Sequence, residues 1–396
     1  MRKIKIGFLT SLNTNIGDDF IRDGIIYLLK QYFGDGNFEL KLINKHNPYT
    51  IFGINAYGRN YYTRRGINKL VKMYPSIFYR AFKLFRKKTV FDDCDIIIQS
   101  GAPVFWANKE TSHSSIKSDW TYAFWKDAVP RFRKMGKPVL NIAAGSCLKY
   151  DSNGEEIYEN IKTSEFIKKD ILDNSDFITV RDKLAKKITE RFGKDSLLLT
   201  CTSIFAAKNY KLHALKNKKF IVFNYMYGGG HFYARDQRIS PERWESISKK
   251  AIEKLSREYE VKMLCHSQKE VREAKKIAPG KEILFFKKSE DQLKYLRTAS
   301  AGVCNRVHAS MGLASLGIPS VTVTTDSRLR LVGETGIKEL PVYFSGDKKL
   351  NSDKLVNDVL FLIKNRNKFR KDIIKLQNNM EREYLNFFKN SCKNYK

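Results

Sequence analysis

The feature that most constrains the fold of this 396-residue chain is an alternation. Short apolar runs of strand length are followed, after polar loops, by stretches of helical periodicity. Ile4 to Leu9 reads as a buried strand, a loop rich in Asn and Gly follows, and Phe20 to Tyr32 carries the apolar spacing of a helix. Asp95 to Gln99, Pro138 to Ala143, Phe177 to Val180 and Leu197 to Cys201 repeat the strand pattern. A polar, lysine-rich stretch from Tyr210 to Lys219 then interrupts, and a second series begins at Phe220 to Asn224. It continues through Glu260 to Cys265, Ile283 to Phe286, Ala301 to Cys304 and Ser320 to Thr324, with helical stretches at Pro241 to Tyr259 and Glu290 to Thr298. Strands this apolar are buried on both faces, and parallel strands need crossover helices, so the pattern predicts two doubly wound α/β domains. The expected units are 1–212, 213–370 and a closing helix over 371–396, the last drawn from the helical run Asp353 to Asn394. Such a pair of domains puts a site in the cleft where strand C-terminal ends converge.

Charge narrows the partners. The chain carries 73 Lys and Arg against 42 Asp and Glu, a net charge of +31, which suits an anionic ligand or surface. Much of the excess sits between Leu40 and Phe91, where no acidic residue occurs and Tyr61, Tyr62, Phe78, Phe82 and Phe85 are interleaved with the basic side chains. That pattern fits an interfacial helix on an anionic membrane, and equally an aromatic core under a solvated lysine face; no nucleic-acid module accompanies it. The six cysteines are scattered singly, with no pair at metal-binding or redox spacing, which points to a reducing compartment and no structural metal. The expected location is the cytoplasm, with the basic stretch docking at the inner membrane face.

Several strand ends carry side chains suited to chemistry. Asn305-Arg306-Val307-His308 follows one strand and opens the helix Ala309 to Leu316, so a guanidinium and an imidazole sit over a helix N-terminus that already favours an anion. Thr179-Val180-Arg181-Asp182 ends a strand of the first domain. Asp182 reads as a helix cap, and Arg181 either pairs locally or faces the cleft opposite Arg306 to clamp a small dianion. Asn15, Gly17 and Asp18 close the first loop and open the first helix, as caps or as ligand contacts. Tyr227-Gly228-Gly229-Gly230-His231 is expected to form either a flexible, substrate-contacting loop, with Gly229 and His231 as contacts, or an ordinary loop. Ser100 and Gly101, after the strand at Ile96, have the same standing.

Taken together, Asn15-Ile16-Gly17-Asp18, Val180-Arg181-Asp182 and Asn305-Arg306-Val307-His308-Ala309 leading into Gly317-Ile318-Pro319-Ser320 resemble the polysaccharide pyruvyl transferase family, over roughly residues 5 to 345. The resemblance implies a two-domain fold of the glycosyltransferase-B type, without metal or cofactor. It implies transfer of a pyruvyl group from phosphoenolpyruvate to two hydroxyls of a sugar acceptor, free or lipid-linked, as a cyclic ketal in surface polysaccharide synthesis. By that pattern Arg306 and Arg181 hold the donor's phosphate and carboxylate and His308 is the acid; Asp18 and Glu334 are candidate bases by position. The chain departs from the family pattern at Ser100-Gly101-Ala102-Pro103 and at Thr202-Ser203, both expected near the acceptor. The alternatives are a nucleotide-sugar glycosyltransferase on the same fold and a non-catalytic binder of anionic glycans or membranes.

Overall fold

The computed structural model describes residues 2–12, 15–45, 48–52, 84, 88–101, 103–106, 125, 128–215, 220–230, 233–334, 337 and 340–395. Its strands form two parallel sheets. The first contains β1 (Ile4–Thr10), β2 (Phe38–Asn44), β3 (Ile96–Gln99), β4 (Pro103–Trp106), β5 (Val139–Cys147), β6 (Phe177–Val180) and β7 (Leu197–Leu198). They run in the order β2-β1-β3-β5-β6-β7, with β4 beside the far end of β5. The second contains β8 (Phe220–Asn224), β9 (Glu260–Cys265), β10 (Ile283–Phe285), β11 (Ala299–Cys304), β12 (Ser320–Thr324) and β13 (Val342–Phe344), in the order β10-β9-β8-β11-β12-β13. In each sheet the direction of winding reverses once, between β1 and β3 and between β8 and β11. A crevice opens at such a switch point because the loops leaving the two strands turn to opposite faces.

The main helices are α1 (Ile16–Phe33), α2 (Lys183–Arg191), α3 (Pro241–Leu255), α4 (Gln268–Ile277), α5 (Ser289–Leu296), α6 (Val307–Ser315), α7 (Ser352–Lys364) and α8 (Arg366–Ser391). Their starts follow from local chemistry: Asn15, Asp182, Ser240, Ser267 and Asn351 each accept a backbone N–H of the first turn. The central strands are almost wholly buried, and β5 is buried at all nine positions, matching the apolar runs that mark them.

The last helix does not stay with the second sheet. Tyr384 of α8 donates to Thr200 O at 2.8 Å, Tyr32 stacks on Phe388, and Gln377 donates to Ile204 O, Ala314 O and Ser315 O, so α8 ties both domains together. A second tie runs through Asp23 of α1, which accepts from Ser289 Oγ of α5 at 2.5 Å. All six cysteines are buried as free thiols. Between Gly53 and Lys87 only Leu84 is described, so most of the basic aromatic stretch lies outside the described residues. No helix among the described residues is long and apolar enough to cross a membrane.

Candidate functional site

The two switch-point crevices face each other, and the loops leaving β1, β11 and β6 bring α1, α6 and Arg181 to one place. At α1 the side chain of Asn15 accepts from Gly17 N at 3.0 Å and fixes the first turn. His308, second residue of α6, packs against that turn: a Cβ at Gly17 would lie 2.2 Å from His308 Nδ1. Glycine is therefore required here by close approach, and the N-termini of two helices, one from each domain, flank the same imidazole. Both present unsatisfied N–H groups and the positive end of a helix dipole, which suits an anion between them.

Arg181 enters from the end of β6. Its course is set by a bulge in β5, where pairing with β6 shifts between Asn141 and Ala144 and Ala143 takes φ 55, a conformation non-glycine residues rarely adopt. Beyond the bulge stands Gly145, where a Cβ would fall 2.2 Å from Arg181 Nε. Arg181 is 2% exposed, and its one side-chain hydrogen bond among the described residues is Nη1 to Cys201 Sγ at 3.7 Å. Its Nε and Nη2 have no hydrogen-bond partner, and it makes no ion pair among the described residues. An uncompensated buried charge is costly unless something is meant to meet it. His308 Nε2, Gln99 Oε1 and both amide atoms of Asn141 are likewise buried without a partner.

The other cations are placed differently from expectation. Arg306 does not stand free opposite Arg181: its Nε donates to Glu270 Oε1 at 2.8 Å, and its Nη2 joins the same oxygen. Glu270 is 2% exposed and also accepts from His266 N, so the pair is part of a fixed network at the ends of β9 and β11. The expected two-arginine clamp is thus corrected to one unpaired guanidinium and one paired. Arg328 makes a bidentate pair with Asp326, at 2.8 and 2.7 Å. Lys45, just past β2, donates from Nζ to Ser100 O at 2.6 Å, and burial pushes its pKa down to about 7, with Asp18 opposing and Arg181 adding to the shift. Neither Lys45 nor Arg328 stands out in the sequence. Lys45 follows a strand whose Glu39 and Lys41 obscure its pattern, and Arg328 acquires meaning only beside His308.

Several expected ligand contacts turn out to hold the framework. Asn305 accepts from Met226 N at 2.9 Å and donates to Gly229 O and Val323 O, so its amide ties the end of β11 to the loop after β8 and to β12. Gly229 has φ 83 and would place a Cβ 2.4 Å from Ser345 Cβ; with Ser345 Oγ bonded to Gly228 O, this loop is pinned rather than flexible. His231 lies outside the described residues. Ser100 contributes its carbonyl to Lys45, and Gly101 lets the chain pass Ala143 O, 2.5 Å from where its own Cβ would be. Asp18 is half-buried on the first turn of α1, near enough to Lys45 to influence it. Glu334 is not a base at this site: it accepts from Lys183 N at 2.8 Å and pairs with Arg330. Thr202 and Ser203 are fully buried against α1, where Thr202 Oγ1 donates to Ile21 O, so that departure from the family pattern serves packing.

The electrostatics follow. Burial first, then the fields of Arg181, Arg328, His266 and Arg306, hold the His308 pKa well below the usual histidine range. His266 is pushed down to about 4, chiefly by burial. The site is therefore a buried neutral imidazole in a positive field, which suits a multiply charged anion.

No curated protein matches the chain. Among solved structures, a UDP-GlcNAc 2-epimerase from Neisseria meningitidis bound to UDP-GlcNAc is 12% identical, with 93% of each chain covered and a TM-score of 0.51. The Methanocaldococcus jannaschii UDP-GlcNAc 2-epimerase in complex with UDP-GlcNAc and UDP is 15% identical, covering 95% of this chain and 99% of its own, with a TM-score of 0.50. At that identity the likeness speaks for the fold, two Rossmann-like domains of the GT-B type facing a cleft. The family model for polysaccharide pyruvyl transferase matches residues 15–327, from the cap of α1 to the loop that carries Arg328, and the chain belongs to that family.

Proposed function

We propose that this protein moves the three-carbon unit of phosphoenolpyruvate onto two hydroxyls of a sugar, forming a pyruvate ketal during assembly of a surface polysaccharide. The observation that carries the reading is Arg181: a buried guanidinium with two unpartnered nitrogens, beside a neutral histidine and two helix N-termini. Phosphoenolpyruvate brings a phosphate and a carboxylate on adjacent positions, and such a pair suits one planar guanidinium and the N–H groups of a helix end.

The chemistry asks for a proton at the methylene carbon. The anionic donor counters the positive field that keeps His308 neutral, so its arrival raises the proton affinity of the imidazole. His308 then gives its proton to C3, C2 becomes an oxocarbenium-like centre, and one sugar hydroxyl adds to it. The C2–O bond to phosphate breaks next, inorganic phosphate leaves, and the second hydroxyl closes the ring. Two hydroxyl protons are lost; one replaces the proton placed on C3 and the other leaves with phosphate. Asp18, on the first turn of α1 beside Lys45, is the carboxylate positioned to accept a hydroxyl proton. Arg306, held by Glu270, keeps the field over the reacting carbon rather than gripping the donor alone. The donor is a cytoplasmic metabolite, which puts the reaction on the cytoplasmic side.

A thermal-shift titration tests this, because a ligand that binds only the native state raises the midpoint. Phosphoenolpyruvate is expected to raise it while UDP and UDP-sugars do not. A rise with UDP-sugars alone would favour a glycosyltransferase instead.

A further inference from the structure

Beside the donor site lies an open groove of about 500 Å³ that the proposed chemistry leaves unused, lined by Tyr150, Asp151, Asn153, Lys183, Lys187 and Arg330. Lys183 and Lys187 are one turn apart on the same face of α2, both exposed, and neither forms an ion pair among the described residues. Arg330, from the other domain, is fixed over the groove by Nη1 bonds to Tyr150 O and Ser152 O at 3.4 and 3.0 Å. Three cations thus converge on a space lined by one carboxylate, Asp151; Glu334 beside it pairs with Arg330 Nε at 3.6 Å, which leaves the two lysines as the unpaired charges. Tyr150 is half-buried and stacks on Phe344 with centroids 5.1 Å apart, which holds its ring rigid at the groove wall, an apolar surface of the kind sugar rings pack on.

The groove is tied to the donor site by the chain itself. Arg181 belongs to the donor site and Lys183 to the groove; Arg328 and Arg330 divide in the same way. Cys147, within the fields of Arg181 and Arg328, precedes Tyr150 by three residues. Two residues of chain reach at most about 7 Å, so one or two sugar units bridge the distance.

We infer that this groove receives the acceptor glycan and holds an acidic group of it, a phosphate or a carboxylate, between Lys183, Lys187 and Arg330. The inference rests on the pyruvyl-transfer reading of the neighbouring site. It explains why the lysines on this face of α2 are left without acidic partners while Lys186, on another face, is paired with Glu190.

Calorimetric titration of the full-length protein with its donor site saturated by phosphoenolpyruvate tests it. The probes are inorganic pyrophosphate for a phosphate-bearing acceptor, a hyaluronan tetrasaccharide for a carboxylate-bearing one, and maltotetraose as the neutral control. At low salt at least one acidic probe is expected to bind more tightly than maltotetraose. That binding should weaken about tenfold in Lys183→Glu/Lys187→Glu and fade with added salt. Which acidic probe binds identifies the acidic group. The milder Lys183→Gln/Lys187→Gln variant, with a smaller loss, guards against misfolding of the first. The thermal shift with phosphoenolpyruvate alone should persist in both variants. Equal binding of the acidic probes to wild type and variants, or no binding to wild type, overturns the inference. Should phosphoenolpyruvate itself fail to shift the wild type, the donor reading fails separately, and the same titrations without it still judge the groove.

Discussion

The two domains bring their arginines to the cleft in opposite states. On the C-terminal side Arg306 is paired with Glu270 and Arg328 with Asp326, and the neighbouring Asn305 spends its amide on the loop after β8 and on β12. On the N-terminal side Arg181 is more deeply buried than either but has no carboxylate among the described residues, and Gln99 and Asn141 keep unpartnered polar atoms nearby in the sheet. A paired buried ion is framework, since removing one partner strands the other. An unpaired one is a vacancy for a ligand, since removing it relieves a desolvation cost. The C-terminal half supplies a rigid platform and the imidazole, and the N-terminal half supplies the unmet charge.

The largest effect is expected at the residue the two halves share. His308→Gln keeps approximate size and a hydrogen-bonding end but cannot deliver the proton, and turnover should fall by roughly 10²–10⁴-fold with donor binding retained. Steady-state kinetics alongside a donor titration check this; retained turnover would move the acid elsewhere. Next comes the framework pair. Arg306→Met leaves Glu270 charged and buried without its cationic partner, and stability should drop by about 3–5 kcal/mol in denaturant unfolding. A much smaller loss would mean that solvent reaches Glu270 and that the two halves differ less than their burial suggests. Asn305→Ala removes three hydrogen bonds between buried loops and should cost about 1–3 kcal/mol, read in the same assay.

The smallest effect concerns acid. His308 binds its proton less readily in the folded chain than in the unfolded one. Its contribution is therefore unchanged above about pH 6.5 and turns against the folded state as pH falls below that value, where the unfolded chain takes up a proton the folded one does not. His266 adds a parallel loss between about 6.5 and 4. The melting temperature of His308→Gln should then decline less steeply than that of wild type over this range, and identical slopes would show that His308 is not held neutral.

These contrasts also mark what the sequence can and cannot convey. Most of the strands are legible because they are uniformly apolar: Ile96 to Gln99 or Ile221 to Asn224 admits little else. β2 is not, because Glu39 and Lys41 alternate along a strand that is only half-buried over most of its length, and the eye follows their charge into the basic stretch beyond. β13 is three half-buried residues and leaves no signature. The strand expected from Leu197 to Cys201 ends after Leu198 and turns into the packing against α1. At the site, Arg181, Arg306 and His308 are visible because strand-end positions single them out. Whether an arginine is paired depends on Glu270, 36 residues away from Arg306, a partnership that no local pattern encodes. Lys45 is hidden for the same reason, since what sets its proton affinity is burial and the neighbouring Asp18 and Arg181.

Arg181→Met tests the central claim most directly, measured for the ligand-free melting temperature and for the shift produced by phosphoenolpyruvate. If Arg181 is an unmet charge awaiting an anion, the ligand-free protein melts at or above the wild-type temperature while the phosphoenolpyruvate shift disappears. A fall in the ligand-free melting temperature like that of Arg306→Met, with the shift preserved, would make Arg181 part of the framework and remove the basis for a donor site between the domains.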